Sequence, residues 1–139
     1  MKKVVFICRR NRFRSQIAEG LYNSLAKNGS VGVSCGSLTL PEERDILFKN
    51  FERVNNTILA MKNHGIDISK NYVKQLTPEI LKDAGKIIIL TDKKDIPDWV
   101  NEYPHEYWEA IDYPGKPTLE ESEETIQTLE QQIKKLLNI

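Results

Sequence analysis

The chain has 139 residues, and its 20 lysines and arginines are matched by 20 aspartates and glutamates. That length points to one domain over 1–139, and a hydrophobic share of 40% is enough for a real core. Zero net charge argues against a nucleic-acid or membrane-surface partner, and two cysteines without metal-ligand spacing argue against a metal site or a disulfide framework.

Met1-Lys2-Lys3 starts like a signal peptide, but the apolar stretch behind it is short and stops at Arg9-Arg10. No segment approaches the length of a membrane span. A reducing cytoplasm is the expected location, where Cys8 would stay a free thiol. Val4 to Ile7 is a continuous apolar run, as expected of a central parallel strand covered on both faces. A helical pattern starts at Gln16; Ile17, Ala18, Leu21, Leu25 and Ala26 carry it, and Gly29 marks its stop. Val31 to Cys35 reads as a second strand closed by Gly36, and Leu38 to Asp45 as a loop broken at Pro41.

Phe51 through Met61 reads as a helix ending before Gly65. Thr77-Pro78-Glu79 opens another, with Thr77 as N-cap and Pro78 in the first helical position. Ile87 to Leu90 is the clearest buried strand, and Tyr107 to Ile111 is expected to be a fourth, ahead of an Asp112-Tyr113-Pro114-Gly115 turn. Thr118 and Glu121 make a capping box, and Leu119, Ile126, Leu129, Ile133 and Leu136 stripe a final helix. Strands alternating with helices predict an α/β fold: a single three-layer α/β/α domain with a four-stranded parallel sheet and right-handed crossovers.

Chemistry concentrates in Cys8-Arg9-Arg10-Asn11-Arg12-Phe13-Arg14-Ser15. A strand, a short loop and a helix N-terminus aim backbone N–H groups at an anion, and the loop lies at the carboxyl edge of the sheet. A cysteine there would be held as thiolate by the helix N-terminus and the arginines. A thiolate beside a bound phosphate is a phosphoryl-transfer site. A buried structural cysteine, and arginines that are merely solvated, are the competing readings.

These residues resemble the low-molecular-weight protein tyrosine phosphatase family, whose fold is shared by the thioredoxin-coupled arsenate reductases. The signature is a strand followed by Cys-x5-Arg-Ser with an Asn three residues after the cysteine, here Cys8, Asn11, Arg14 and Ser15. Gln16 to Gly20, Val33 to Ser37, Gly65 to Ser69 and Gln75 to Thr77 extend the likeness. Three departures stand out. Arg9, Arg10 and Arg12 replace residues that are mostly small or apolar in the family. The family's general acid is an Asp directly before Pro, whereas here the order is Asp112-Tyr113-Pro114. Phe13 stands where a second cysteine is common, and the further redox cysteines of the arsenate reductases are missing.

The resemblance implies Cys8 as nucleophile, forming a cysteinyl-phosphate, with Arg14 clamping phosphate oxygens and backbone N–H groups from Arg9 to Ser15, through Phe13, cradling the rest. Asn11 is expected in a left-handed conformation that curls the loop, or else in a plain turn. Ser15 either donates its hydroxyl to the Cys8 sulfur or caps the helix, and the two roles are compatible. Asp112 is the general-acid candidate, with a turn Asp as the alternative and Asp92 in reserve. Tyr113 is a rim aromatic or a partly buried surface residue. Arg9, Arg10 and Arg12 would ring the mouth and favour polyanions or inorganic oxyanions. Cys35 reads as a core residue, and as a disulfide partner of Cys8 only if the two approach closely. His64 and His105 read as surface or helix-end residues rather than catalytic ones.

The expected activity is a cysteine-dependent phosphatase acting on a phosphorylated protein or a small phosphomonoester, binding inorganic phosphate or another oxyanion, and needing no metal or organic cofactor. The alternatives are an arsenate reductase using external thiols, a non-catalytic anion-binding protein, and a sugar-transport phosphocarrier, against which Arg14 argues.

Overall fold

The computed structural model describes residues 2–27 and 29–139. Strand β1 (Lys3–Cys8) lies in the middle of a four-stranded parallel sheet of order β2-β1-β3-β4, with β2 spanning Val31–Gly36, β3 Ala84–Ile89 and β4 Glu106–Tyr107. Its position explains the unbroken apolar run: β1 pairs with β2 and β3 and is covered on both faces. The two-residue alternation of a strand sorts its side chains. Val4, Phe6 and Cys8 join one core, with helices α1 (Arg14–Leu25), α2 (Asn55–Asn63) and α4 (Leu119–Leu137). Val5 and Ile7 join the other, with Cys35, Ile87, Ile89 and Leu81 of the single-turn α3 (Pro78–Leu81). The expected α/β/α sandwich is thus present, with one helical layer much thicker than the other.

Four expectations change in detail. The helix expected from Phe51 starts as a 3-10 turn at Glu52–Val54 and becomes α2 at Asn55. Thr77 precedes α3 in extended conformation, but its side chain makes no capping bond. The strand expected over Tyr107 to Ile111 is only Glu106–Tyr107. Its partner β3 stops at Ile89, which accepts from Trp108 N at 2.9 Å, so later residues have no ladder to join. They form a loop in which Ile111 is 65% exposed. The first helix starts at Arg14, two residues earlier than the apolar spacing suggests.

The capping box of α4 is present in both directions: Glu121 N donates to Thr118 Oγ1 at 3.0 Å, and Thr118 N donates to Glu121 Oε1 at 2.9 Å. It starts a helix whose Ile126, Leu129 and Ile133 are fully buried against α1 and α2. No helix among the described residues is long and apolar enough to cross a membrane. Because the box supplies two otherwise orphaned donors, Thr118→Ala is expected to cost about 1 kcal/mol in urea unfolding. Leu129→Ala is expected to cost about 2–5 kcal/mol in the same measurement.

Candidate active site

Cys8 ends β1, and residues 9–13 carry the chain round to the first turn of α1. Asn11 makes the curl, with a left-handed φ of 58° and no exposed surface. Asparagine tolerates that region better than most side chains. Asn11 N donates to Cys8 Sγ at 3.2 Å, and Ser15 Oγ lies 2.9 Å from the same sulfur. The amide of Asn11 donates from Nδ2 to Ser15 Oγ at 2.7 Å. With that lone pair occupied, the serine's own proton is free to point at the sulfur. The sulfur therefore faces two donors, the arrangement a thiolate uses.

Arg14 is 95% buried although it begins a helix, because its guanidinium is tied down on two sides. Nη1 donates to Leu90 O at 2.5 Å, and Nη2 stands 3.6 Å from Asp112 Oδ2. The loop after β4 thus brings Asp112 to the mouth of a cavity of about 30 Å³ lined by Cys8, Arg10, Arg12, Arg14, Arg53 and Asp112. The one-residue offset from Pro114 does not turn the carboxylate away. The Phe13 and Tyr113 rings meet edge-on, centroids 5.8 Å apart, and close one wall. Partial burial, and then the carboxylates of Glu124 and Glu121, push the Tyr113 phenol above its ordinary value.

The arginine ring is partial. Arg10 and Arg12 line the cavity, but Arg10 also donates from Nη1 to Leu38 O, and Arg12 pairs with Glu43 at 2.9 Å. Arg9 turns away from the cavity, with Nε 3.8 Å from Asp95 Oδ1. A second groove, about 830 Å³, opens on the other side of Arg14 and Tyr113. Leu90, Trp108, Ile111 and Leu129 give it an apolar lining, and Asp92, Glu109 and Glu124 a negative one. Asp92 therefore borders this groove and not the Cys8 cavity. Cys35 pairs in register with Ile7, not Cys8, and its side chain lies in the opposite core. Both thiols are free, and burial pushes that of Cys35 far up. His64 pairs with Glu123, and the His105 ring stacks edge-on against Tyr107, both away from the loop.

This geometry has known counterparts. The family model for low molecular weight phosphotyrosine protein phosphatases matches residues 3–139. The chain belongs to that family. A glutaredoxin arsenate reductase of Synechocystis sp. is 31% identical over 137 residues, 96% of this chain and 92% of the relative. A solved structure described as an arsenate reductase in the phosphate binding state is 27% identical, with a TM-score of 0.76 over 99% of this chain and 98% of the other. A low molecular weight protein tyrosine phosphatase from T. tengcongensis, at 24% identity and a TM-score of 0.73, shares the fold over 99% of both chains. The family is one of enzymes, phosphatases and arsenate reductases on one scaffold.

Residues outside the signature support this phosphatase-family loop from below. Asn11 Oδ1 accepts from Lys74 N at 2.8 Å and from Gln16 Nε2 at 3.0 Å, and Gln16 Oε1 accepts from Asn71 Nδ2 at 2.9 Å. Gly36 lies directly behind the loop: a Cβ there would stand 2.8 Å from Asn11 N and 2.9 Å from Arg10 C. Gly36 N also donates to Lys74 O, and Gly36 O accepts from Leu76 N, both at 2.8 Å. Sequence reasoning treats Gly36 only as a strand end, since a close backbone approach from another element leaves no local mark. Arg53 was missed for the same reason; it reaches the cavity from the 3-10 turn before α2.

Since backbone cannot yield to a new methyl group, Gly36→Ala is expected to displace the loop at Asn11. Inorganic phosphate binding, read by calorimetry, should weaken by ~10-fold, the equivalent of one charge-assisted hydrogen bond. Iodoacetamide at neutral pH is expected to modify Cys8 and spare Cys35 in the native protein, with phosphate protecting Cys8. Peptide mass spectrometry reads this directly, and preferential labelling of Cys35 would contradict it.

Proposed function

We propose that this chain is a cysteine-dependent phosphomonoester hydrolase acting through a cysteinyl-phosphate. The observation that carries the reading is the Asp112 carboxylate beside Arg14 at the mouth of the cavity where Cys8 meets two donors. Ester cleavage needs a nucleophile, an anion clamp and a proton for the departing oxygen, and these residues supply all three. Cys8 Sγ attacks phosphorus as the ester P–O bond breaks, and Asp112 gives its proton to the leaving oxygen. Arg14 and the loop N–H groups hold the equatorial oxygens. A water then attacks phosphorus, the Asp112 carboxylate takes its proton, and the S–P bond breaks with Ser15 donating to the departing sulfur. The adjoining groove supports an organic leaving group, because a bare oxyanion has no use for 830 Å³ of space. Substrates are phosphorylated proteins or small phosphomonoesters, and free thiols suit a cytoplasmic setting.

A second reading is favoured by the 31% identity to an arsenate reductase. Here Cys8 would attack arsenate, expelling hydroxide, and an external thiol would attack the sulfur, forming a mixed disulfide and releasing arsenite. A second external thiol would resolve the disulfide, so two thiols supply the two electrons. The chain has no internal substitute, since its two cysteines face opposite sides of the sheet.

The test is hydrolysis of para-nitrophenyl phosphate near pH 6. Wild type is expected to turn over, Cys8→Ser to lose activity entirely, and Asp112→Asn to lose about 10²–10⁴-fold in kcat, the range of general acid catalysis. Absent turnover, together with arsenate-dependent oxidation of added glutathione, would replace the phosphatase reading with the reductase one.

A further inference from the structure

Four guanidinium groups line the Cys8 cavity, but a monoester needs far fewer for its phosphoryl group. Arg14 is committed to Leu90 O and Asp112, and Arg12 to Glu43. The Arg53 side chain makes no hydrogen bond or ion pair among the described residues, yet it lines the same cavity as Cys8. Charged groups of both signs act on it: Arg12 repels it, and Glu43 and Asp112 attract it. Burial, and then Arg12, pull its pKa below the ordinary value, while an arginine stays protonated throughout. A guanidinium that lines the cavity with no carboxylate within pairing distance has its N–H donors available to an anionic group of a ligand. Arg10 adds to the same side, since its single bond is to the neutral Leu38 carbonyl.

We infer that Arg53, with Arg10, forms a second anion subsite at the mouth of the cavity, so that the favoured substrates carry a further carboxylate or phosphate close to the scissile phosphoryl group. This deepens the phosphatase reading and rests on it. The ligand chemistry is that of an acidic phosphopeptide: the phosphoryl group sits on the loop, and a flanking Asp or Glu side chain faces the Arg53 guanidinium. The geometry also assigns a direction. Arg53 lines the Cys8 cavity and not the groove, whose carboxylates Asp92, Glu109 and Glu124 form no ion pairs among the described residues. An acidic flank turned into that groove would meet repulsion, whereas on the Arg53 side it meets an unpaired cation.

The test uses binding, which does not depend on turnover. Two phosphotyrosyl peptides differing only in a Glu or Gln beside the phosphorylated residue are titrated against the Cys8→Ser protein by calorimetry, with and without Arg53→Gln or Arg53→Lys. The Glu peptide is expected to bind roughly fivefold more tightly, the upper end for an ion pair that solvent can reach. Arg53→Gln should abolish that preference, Arg53→Lys should keep part of it, and raising salt should erode it. Equal affinity for both peptides, an undiminished preference in Arg53→Gln, or no binding of either peptide overturns the inference. Failure of the phosphatase reading is seen separately, as absent para-nitrophenyl phosphate turnover by the wild type.

Discussion

The site depends on the side chain of one buried asparagine. Lys74 N can only donate, so the Asn11 atom facing it must be the carbonyl oxygen, and the amide nitrogen is then forced toward Ser15. That orientation passes to the serine hydroxyl and from there to Cys8. Asn11 and Ser15 have no exposed surface, so breaking the link between them would leave a buried donor or acceptor at about 1–3 kcal/mol. Backbone, side chain and sulfur therefore hold one another in a single arrangement, and the left-handed strain at Asn11 is offset by the bonds it permits.

Charge is distributed around this loop with a clear polarity. A chain of zero net charge gathers four arginines at 9–14 and adds a fifth, Arg53, from a distant turn. Three of the loop arginines are partly neutralised, by Asp95, Glu43 and Asp112. Each pairing offsets part of the repulsion between guanidiniums crowded into so short a segment. Across Arg14 and Tyr113 the sign reverses, and the larger groove is acidic and apolar. A ligand spanning both sides would be oriented by the difference in potential as much as by shape.

The parity of β1 governs the thiol chemistry. Side chains alternate along a strand, so Cys8 and its neighbour Ile7 point to opposite layers, and Cys35 follows Ile7 because the two are in register. The two sulfurs are therefore separated by the sheet itself. One helical layer receives Cys8 at the end of the strand, and the other buries Cys35. This constraint comes from strand pairing alone and bears equally on both candidate reactions.

Local patterns carried most of the architecture. The apolar run at Val4 to Ile7, the stripe from Leu119 to Leu136 and the Thr118-Glu121 box are periodic or near-neighbour signals, and each matches an element or cap in the structure. The loop signature was equally legible, because Cys8, Asn11, Arg14 and Ser15 act on one another within eight consecutive residues. The fourth strand was misread because its length is limited by where β3 ends, which Tyr107 to Ile111 does not encode. Whether Asp112 meets Arg14, which arginines face the cavity, and what Gly36, Lys74 and Arg53 contribute all depend on segments far apart in the chain, such as Asn11 with Gly36 and Arg14 with Asp112. Sequence determined the elements and the reactive loop, because those rest on contacts between neighbours. Only tertiary structure decided the meeting of Asp112 with Arg14, the charged wall and the separation of the thiols, because those rest on which distant backbones pack side by side.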